Sequence, residues 1–145
     1  MLWAHYADSH KGFAIEYDFA ALTYQDLRRR LCFPVFYTKK LRDATRHLAK
    51  LGVSINNLFG EYMCLIKEHD WSYEKEWRII MPIGPDHANF EMMMPKPTAI
   101  LLGSQVAPDD EKFMSDFCQA RSIGLRRMII GHRSFELGTQ EVLEG

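Results

Sequence analysis

Two short stretches hold most of the side chains able to do chemistry. The first is Trp3-Ala4-His5-Tyr6, followed by His10-Lys11-Gly12 and Glu16. It sets an indole, two imidazoles, a phenol, an amine and a carboxylate around one turn, and turns on a rigid scaffold are where binding residues concentrate. The second is Trp71-Ser72-Tyr73-Glu74-Lys75-Glu76-Trp77-Arg78-Ile79-Ile80. Read as a strand, its period of two places Glu74, Glu76 and Arg78 on one face, with Lys75, Trp77 and Ile79 on the other. Trp77 and Ile79 would seek the core. Glu76 and Arg78 would face the other way together.

That pair admits two readings. In the structural one, Arg78 answers Glu76, or Glu16 on a neighbouring strand, in a half-buried ion pair. In the functional one, Glu76 is an acid, base or cation-stabilising carboxylate and Arg78 clamps an anion. Paired charges are common on sheets, so spacing favours the structural reading. His5, His10 and Glu16 could meet around a metal. No metal-motif spacing accompanies them, and histidine more often caps or packs, so no metal is expected. Trp3 and Tyr6 read most simply as core or rim aromatics. The Leu101-Leu102-Gly103-Ser104 run before Pro108 resembles a phosphate-holding strand–helix junction, but Asp109, Asp110 and Glu111 would repel an anion there.

The elements that must carry these residues can be read from pattern. Leu2 to Ala7 predicts the last turns of a helix, and Asp8 to Gly12 a loop. Phe13 to Phe19 alternates as a strand, with Phe13, Ile15, Tyr17 and Phe19 on a greasy face and Ala14, Glu16 and Asp18 opposite. Helices are expected over Ala20–Leu31, Lys40–Leu51 and Ser54–His69, with Gly52 as a stop and Ser54 as a cap. Strands are expected over Cys32–Thr38, Glu74–Ile83, Phe90–Met94 and Thr98–Leu102. The Met92-Met93-Met94 run reads as flexible core filling. Pro108 opens a helix with Phe113, Phe117 and Ala120 buried, ended by Gly124. Two last strands, Arg127–Ile130 and Phe135–Leu137, flank Gly131. The expectation is one α+β domain over residues 1–145, a single mixed or antiparallel sheet of about five to six strands packed by three to four helices.

Composition narrows the function. The chain has 145 residues, 47% of them hydrophobic and 26% charged, enough for a packed core. Its net charge of -1 gives no global field for nucleic acid or an anionic membrane surface. The Arg28-Arg29-Arg30 run reads as a solvated helix face. Cys32, Cys64 and Cys118 are odd in number and widely spaced, which fits a reducing compartment and a cytoplasmic location. No stretch reads as a signal peptide or a membrane span.

The W-x-H-Y-A-D-x-H-K-G-F-x-I-E-Y-D run at Trp3–Asp18 and the W-x-Y-E-x-E-W-R-I-I run at Trp71–Ile80 resemble the bacterial domain-of-unknown-function family 2971. The strand at Ile100–Gly103 is similar to that family's later I-x-x-G segment, so the resemblance spans most of the chain. Members usually have an N-terminal half before the W-x-H-Y motif. The resemblance therefore implies a short form or a fragment matching the family's C-terminal part. Separately, Glu74-Lys75-Glu76 is similar to the carboxylate pair of ADP-ribosyltransferases. That likeness implies Glu76 on the nicotinamide ribose, stabilising oxocarbenium character, and Glu74 orienting the acceptor. The Arg or His strand that precedes the pair in those enzymes has no counterpart here, and no Ser-Thr-Ser-like strand follows.

Two hypotheses follow. One is a nucleotide-binding or ADP-ribosyltransferase-like enzyme with NAD as its cofactor or substrate. Glu76 and Glu74 would be catalytic, and His5, Tyr6, His10, Lys11, Glu16 and Arg78 would line the pocket. The other is a non-enzymatic protein-interaction or regulatory module of bacterial defence or mobile elements, with a protein partner or a second copy.

Overall fold

A computed structural model describes residues 2–50, 57–81, 90–131 and 137–143. The chain is α+β, and its contacts divide it into two compact units: Met1–Asp18 with Met93–Gly145, and Phe19–Met92.

The first unit is built on helix α1 (Leu2–Tyr6), strand β1 (Phe13–Glu16), a strand at Ala99–Leu102, a helix at Pro108–Arg121, and strands at Gly124–Ile130 and Leu137–Leu143. Numbered in chain order with the second unit below, these last four are β6, α5, β7 and β8. They form a four-stranded mixed sheet in the order β1-β6-β7-β8. β1 runs antiparallel to β6, β6 parallel to β7, and β7 antiparallel to β8. The parallel step needs a crossover, and α5 supplies it. Pro108 stands in the helix's first turn with Asp109, Asp110 and Glu111, where the missing N–H costs nothing and the dipole favours carboxylates. Ser122, in the left-handed region at φ 49°, closes it. Gly124, expected to end the helix, instead begins β7.

The core joins Ile100 and Leu102 of β6, Leu125 of β7, Cys118 of α5, and the flanking Val106 and Ile123. Met114, Phe117 and Leu143 pack against it. Phe113, expected inside, is 67% exposed; the helix turns Met114, Phe117 and Cys118 to the sheet, the i, i+3, i+4 face. The loop after α1 docks on the end of β6. Asp8, Ser9 and His10 all have positive φ, and Gly12 N donates to Ala7 O at 2.8 Å. Gly103 N then donates to Gly12 O, and Gln105 N to His10 O. A Cβ on Gly103 would sit 2.0 Å from the His10 carbonyl oxygen, so only glycine allows this approach.

The second unit contains α2 (Leu27–Arg30), β2 (Cys32–Pro34), β3 (Phe36–Thr38), α3 (Thr45–Leu48), α4 (Asn57–Cys64), β4 (Ile66–Glu68), a 3₁₀ turn at His69–Glu74 and β5 (Trp77–Ile79). β2 pairs antiparallel with β5, and β3 parallel with β4. Pro34 ends β2, as a residue without an N–H should. Its helices are shorter than the apolar stripes predict. Ala20–Leu31 forms a helix only at its end, where Asp26 accepts from Arg28 N. The predicted Ser54–His69 helix yields to β4 after Cys64, because residues 66–68 pair with β3. Gly52 and Ser54 lie outside the described residues. The Arg run is not merely solvated: Arg28 pairs with Asp26, and Arg29 donates to the carbonyls of Ala20 and Leu22 while stacking on Tyr24. Residues 90–94 form no strand, and Met93 and Met94 are exposed rather than core filling.

Candidate functional site

The predicted site residues divide between the units. His5, Tyr6, His10, Lys11 and Glu16 belong to the first, and Glu74, Glu76 and Arg78 to the second.

In the second unit the three charged residues come together, with two partners that pattern did not reveal. Glu76 accepts from Arg78 through both carboxylate oxygens, at 2.6 Å from Nε and 3.0 Å from Nη2. It also accepts from Lys67 Nζ at 3.1 Å. Lys67 reaches further, to Glu74, and lies 5.1 Å from the Trp71 ring centre. Glu74 is nearly closed off, with 5% of its side chain exposed. Arg78 donates to the Cys64 carbonyl, and Tyr37 Oη accepts from Glu76 N at 2.8 Å. The network thus ties β3, β4, the 3₁₀ turn and β5 to one another.

This geometry sets the charge state. The Arg78 guanidinium, followed by Lys67, holds the Glu76 carboxyl at about 2, against the opposing effect of burial. Glu74 and Glu76 hold the Lys67 ammonium well above its ordinary range, and Glu76 does the same for Arg78. A carboxylate so engaged is ionised and electrostatically neutralised. It is a poor general acid, whose ideal pKa lies near the working pH.

The expected strand positions Arg78 but neither glutamate. Glu74 ends the 3₁₀ turn, Lys75 is left-handed at φ 48°, and β5 begins only at Trp77. Glu-x-Glu here is therefore a turn feature. Trp77, expected in the core, is 63% exposed. The β5 register sets it opposite Pro34 at the end of a piece that has two strands among the described residues.

In the first unit, His5 and Tyr6 lie on α1, exposed, with ring centres 6.4 Å apart. His10 and Lys11 lie in the left-handed loop. Lys11 is exposed, whereas His10 Nδ1 is buried and has no hydrogen-bond partner among the described residues. Glu16 does not join them. At the far end of β1 it accepts from Thr98 Oγ1 at 2.9 Å and Arg126 Nη2 at 2.8 Å. Arg126, not Arg78, is the partner that the structural reading sought for Glu16. Arg126 also approaches Glu141 at 3.5 Å. Thr98, Arg126 and Glu141, with Lys96 and Ser122, line a cleft of about 550 Å³ over a floor of Ala99 and Gly124.

Sequence reasoning missed Arg126 because the last strands were drawn too short. Begun at Gly124, β7 alternates Leu125 and Arg127 against Arg126, and the buried Leu125 would have turned Arg126 to the opposite face. Lys67 carried no signal of its own, since its partners follow through a turn. Among the described residues no group of His, Cys, Asp and Glu could hold a metal ion, and no helix is long and apolar enough to cross a membrane.

No curated protein and no solved structure matches the chain. One family does, over residues 2–79, a span holding the Trp3–Asp18 run and nearly all of Trp71–Ile80. The match lies in the N-terminal part of the chain, which corrects the expected likeness to a C-terminal part and over most of the length; Ile100–Gly103 falls outside it. With more than half of its residues matched, the chain belongs to the family described as "Protein of unknown function (DUF2971)".

Proposed function

We propose that this chain is a non-enzymatic interaction module whose partner is a second copy of itself, joined by strand addition. The observation that carries this reading is the outer edge of β8. Among the described residues it ends the strand order β1-β6-β7-β8; it runs for seven residues and contains neither lysine nor proline, the usual devices against edge pairing. Its sequence is self-complementary. Paired antiparallel about Gln140, Leu137 meets Leu143, Gly138 meets Val142, and Thr139 meets Glu141, so no like charges oppose each other. The network around Glu76 supports the same reading, since its groups are occupied with one another. Three free thiols fit a reducing, cytoplasmic setting.

Size-exclusion chromatography with light scattering tests the proposal. The wild type is expected as a dimer, and Gln140→Lys, which sets two lysines face to face, as a monomer with an unchanged circular dichroism spectrum. A wild type that stays monomeric at high concentration overturns it.

A second reading has one feature in its favour. Glu76 at about 2 is ionised at neutral pH, the state needed to stabilise a cationic sugar transition state in an enzyme acting on NAD. NAD binding and turnover by the wild type and Glu76→Gln separate the two. Binding by neither folded protein is expected; turnover lost in Glu76→Gln would install the enzyme in place of the module.

A further inference from the structure

The cleft in the first unit has a composition that points to a ligand. Strand register creates it. Directly paired residues share a sheet face, so Glu16, Ala99 and Gly124 form one row, and Ala14, Leu101, Arg126 and Glu141 the next. Both rows lie on the face opposite the core residues Ile100 and Leu125. In the first row the two central strands supply only a methyl group and a hydrogen, which leaves a hollow. It is an open hollow of about 550 Å³, a size that admits a small molecule on the face of the sheet.

The charges around the hollow are unequally satisfied. Glu16 holds Arg126 on Oε1, the oxygen that also takes the Thr98 hydroxyl. Lys96 Nζ has only the Ser122 carbonyl, at 2.8 Å, and no carboxylate partner among the described residues. Glu141 is 60% exposed and has only the loose 3.5 Å approach of Arg126. An ammonium with no carboxylate partner among the described residues and a carboxylate held only by a loose ion pair therefore border the same small-floored hollow. Arg126, paired with Glu16, lines it with them.

We propose that this cleft binds a small zwitterion of the α-amino-acid class. The ligand's carboxylate would be taken by Lys96 with Arg126 and its ammonium by Glu141, with its side chain over Ala99 and Gly124. A phosphate dianion would satisfy Lys96 but would meet the Glu141 carboxylate. A lone cation would meet Lys96 and Arg126. Only a ligand of both signs completes the set. The inference does not rest on strand addition, since the cleft opens on the face of the sheet and not at its edge.

The test uses the full chain. Each of the common amino acids is screened singly for a rise in melting temperature, beside inorganic phosphate, acetate and methylamine, and any hit is titrated calorimetrically. At least one amino acid is expected to bind. Lys96→Met and Glu141→Gln, both at exposed positions and checked for folding by circular dichroism, should each weaken it about tenfold. The proposal is overturned if no amino acid binds, if phosphate alone binds, or if both folded variants bind as the wild type does.

Discussion

The two units are held together by different physics. In the first, Leu102, Leu125 and Cys118 are fully buried in a cluster that joins two parallel strands to their crossover helix. In the second, the buried apolar residues among those described are Val35 and Leu65, and its two-stranded pieces are knitted by Lys67, Glu74, Glu76 and Arg78. A sheet of four strands with a helix on it can bury an apolar layer; two strands cannot. Where the layer is missing, hydrogen-bonded charges carry the specificity. The first unit should thus answer to changes of shape, and the second to changes of charge.

The largest effect should come from breaking the apolar side of that contrast. Leu102→Ala deletes a side chain with 0% exposure and is expected to cost about 3 kcal/mol through lost burial and a residual cavity. Hydrogen exchange read by mass spectrometry should show faster exchange in β6, β7 and α5. Protection unchanged there would mean that the cluster is not what holds the first unit.

A smaller effect, at a different variable, sharpens the other side. The Glu76 carboxyl lies at about 2 when folded, below its ordinary value of 4.5. Its stabilising contribution is therefore complete above about pH 4.5 and is lost as the pH falls towards 2. With the side chain partly exposed, that contribution should be about 2 kcal/mol. Acid titration followed by hydrogen exchange should loosen β2, β5 and the 3₁₀ turn before β6 and β7. Glu76→Gln should be weakened already at neutral pH and lose most of that acid dependence. Acid loosening that is the same in Glu76→Gln as in the wild type would assign the transition to other groups.

The legible parts of the fold were those whose signals are local. Pro108 followed by three acidic residues marks a helix start wherever it occurs, and α5 begins there. The apolar run at Ala99–Leu102 is too short for a helix and became the most buried strand. In the second unit the same kind of reading overreached. The stripe through Ile66 suits a helix, but pairing with β3 extended residues 66–68 instead, a non-local gain that no periodicity records. Trp77 shows the converse: its type and phase predict burial, yet it is 63% exposed at the end of the β2–β5 pair.

The sequence by itself determined the class and the family motifs, and it set Glu76 and Arg78 two residues apart while leaving open whether Arg78 answers Glu76, answers Glu16 or clamps an anion. The structure decided for Glu76. Only the tertiary structure decided the rest. Lys67 reaches Glu74 and Glu76 because a 3₁₀ turn folds the chain back on β4. Glu16 meets Arg126, 110 residues away, because β6 stands between their strands. Which charges meet across such distances depends on strand order, and strand order is set by how the apolar faces pack together, a property of the whole chain and not of any window within it.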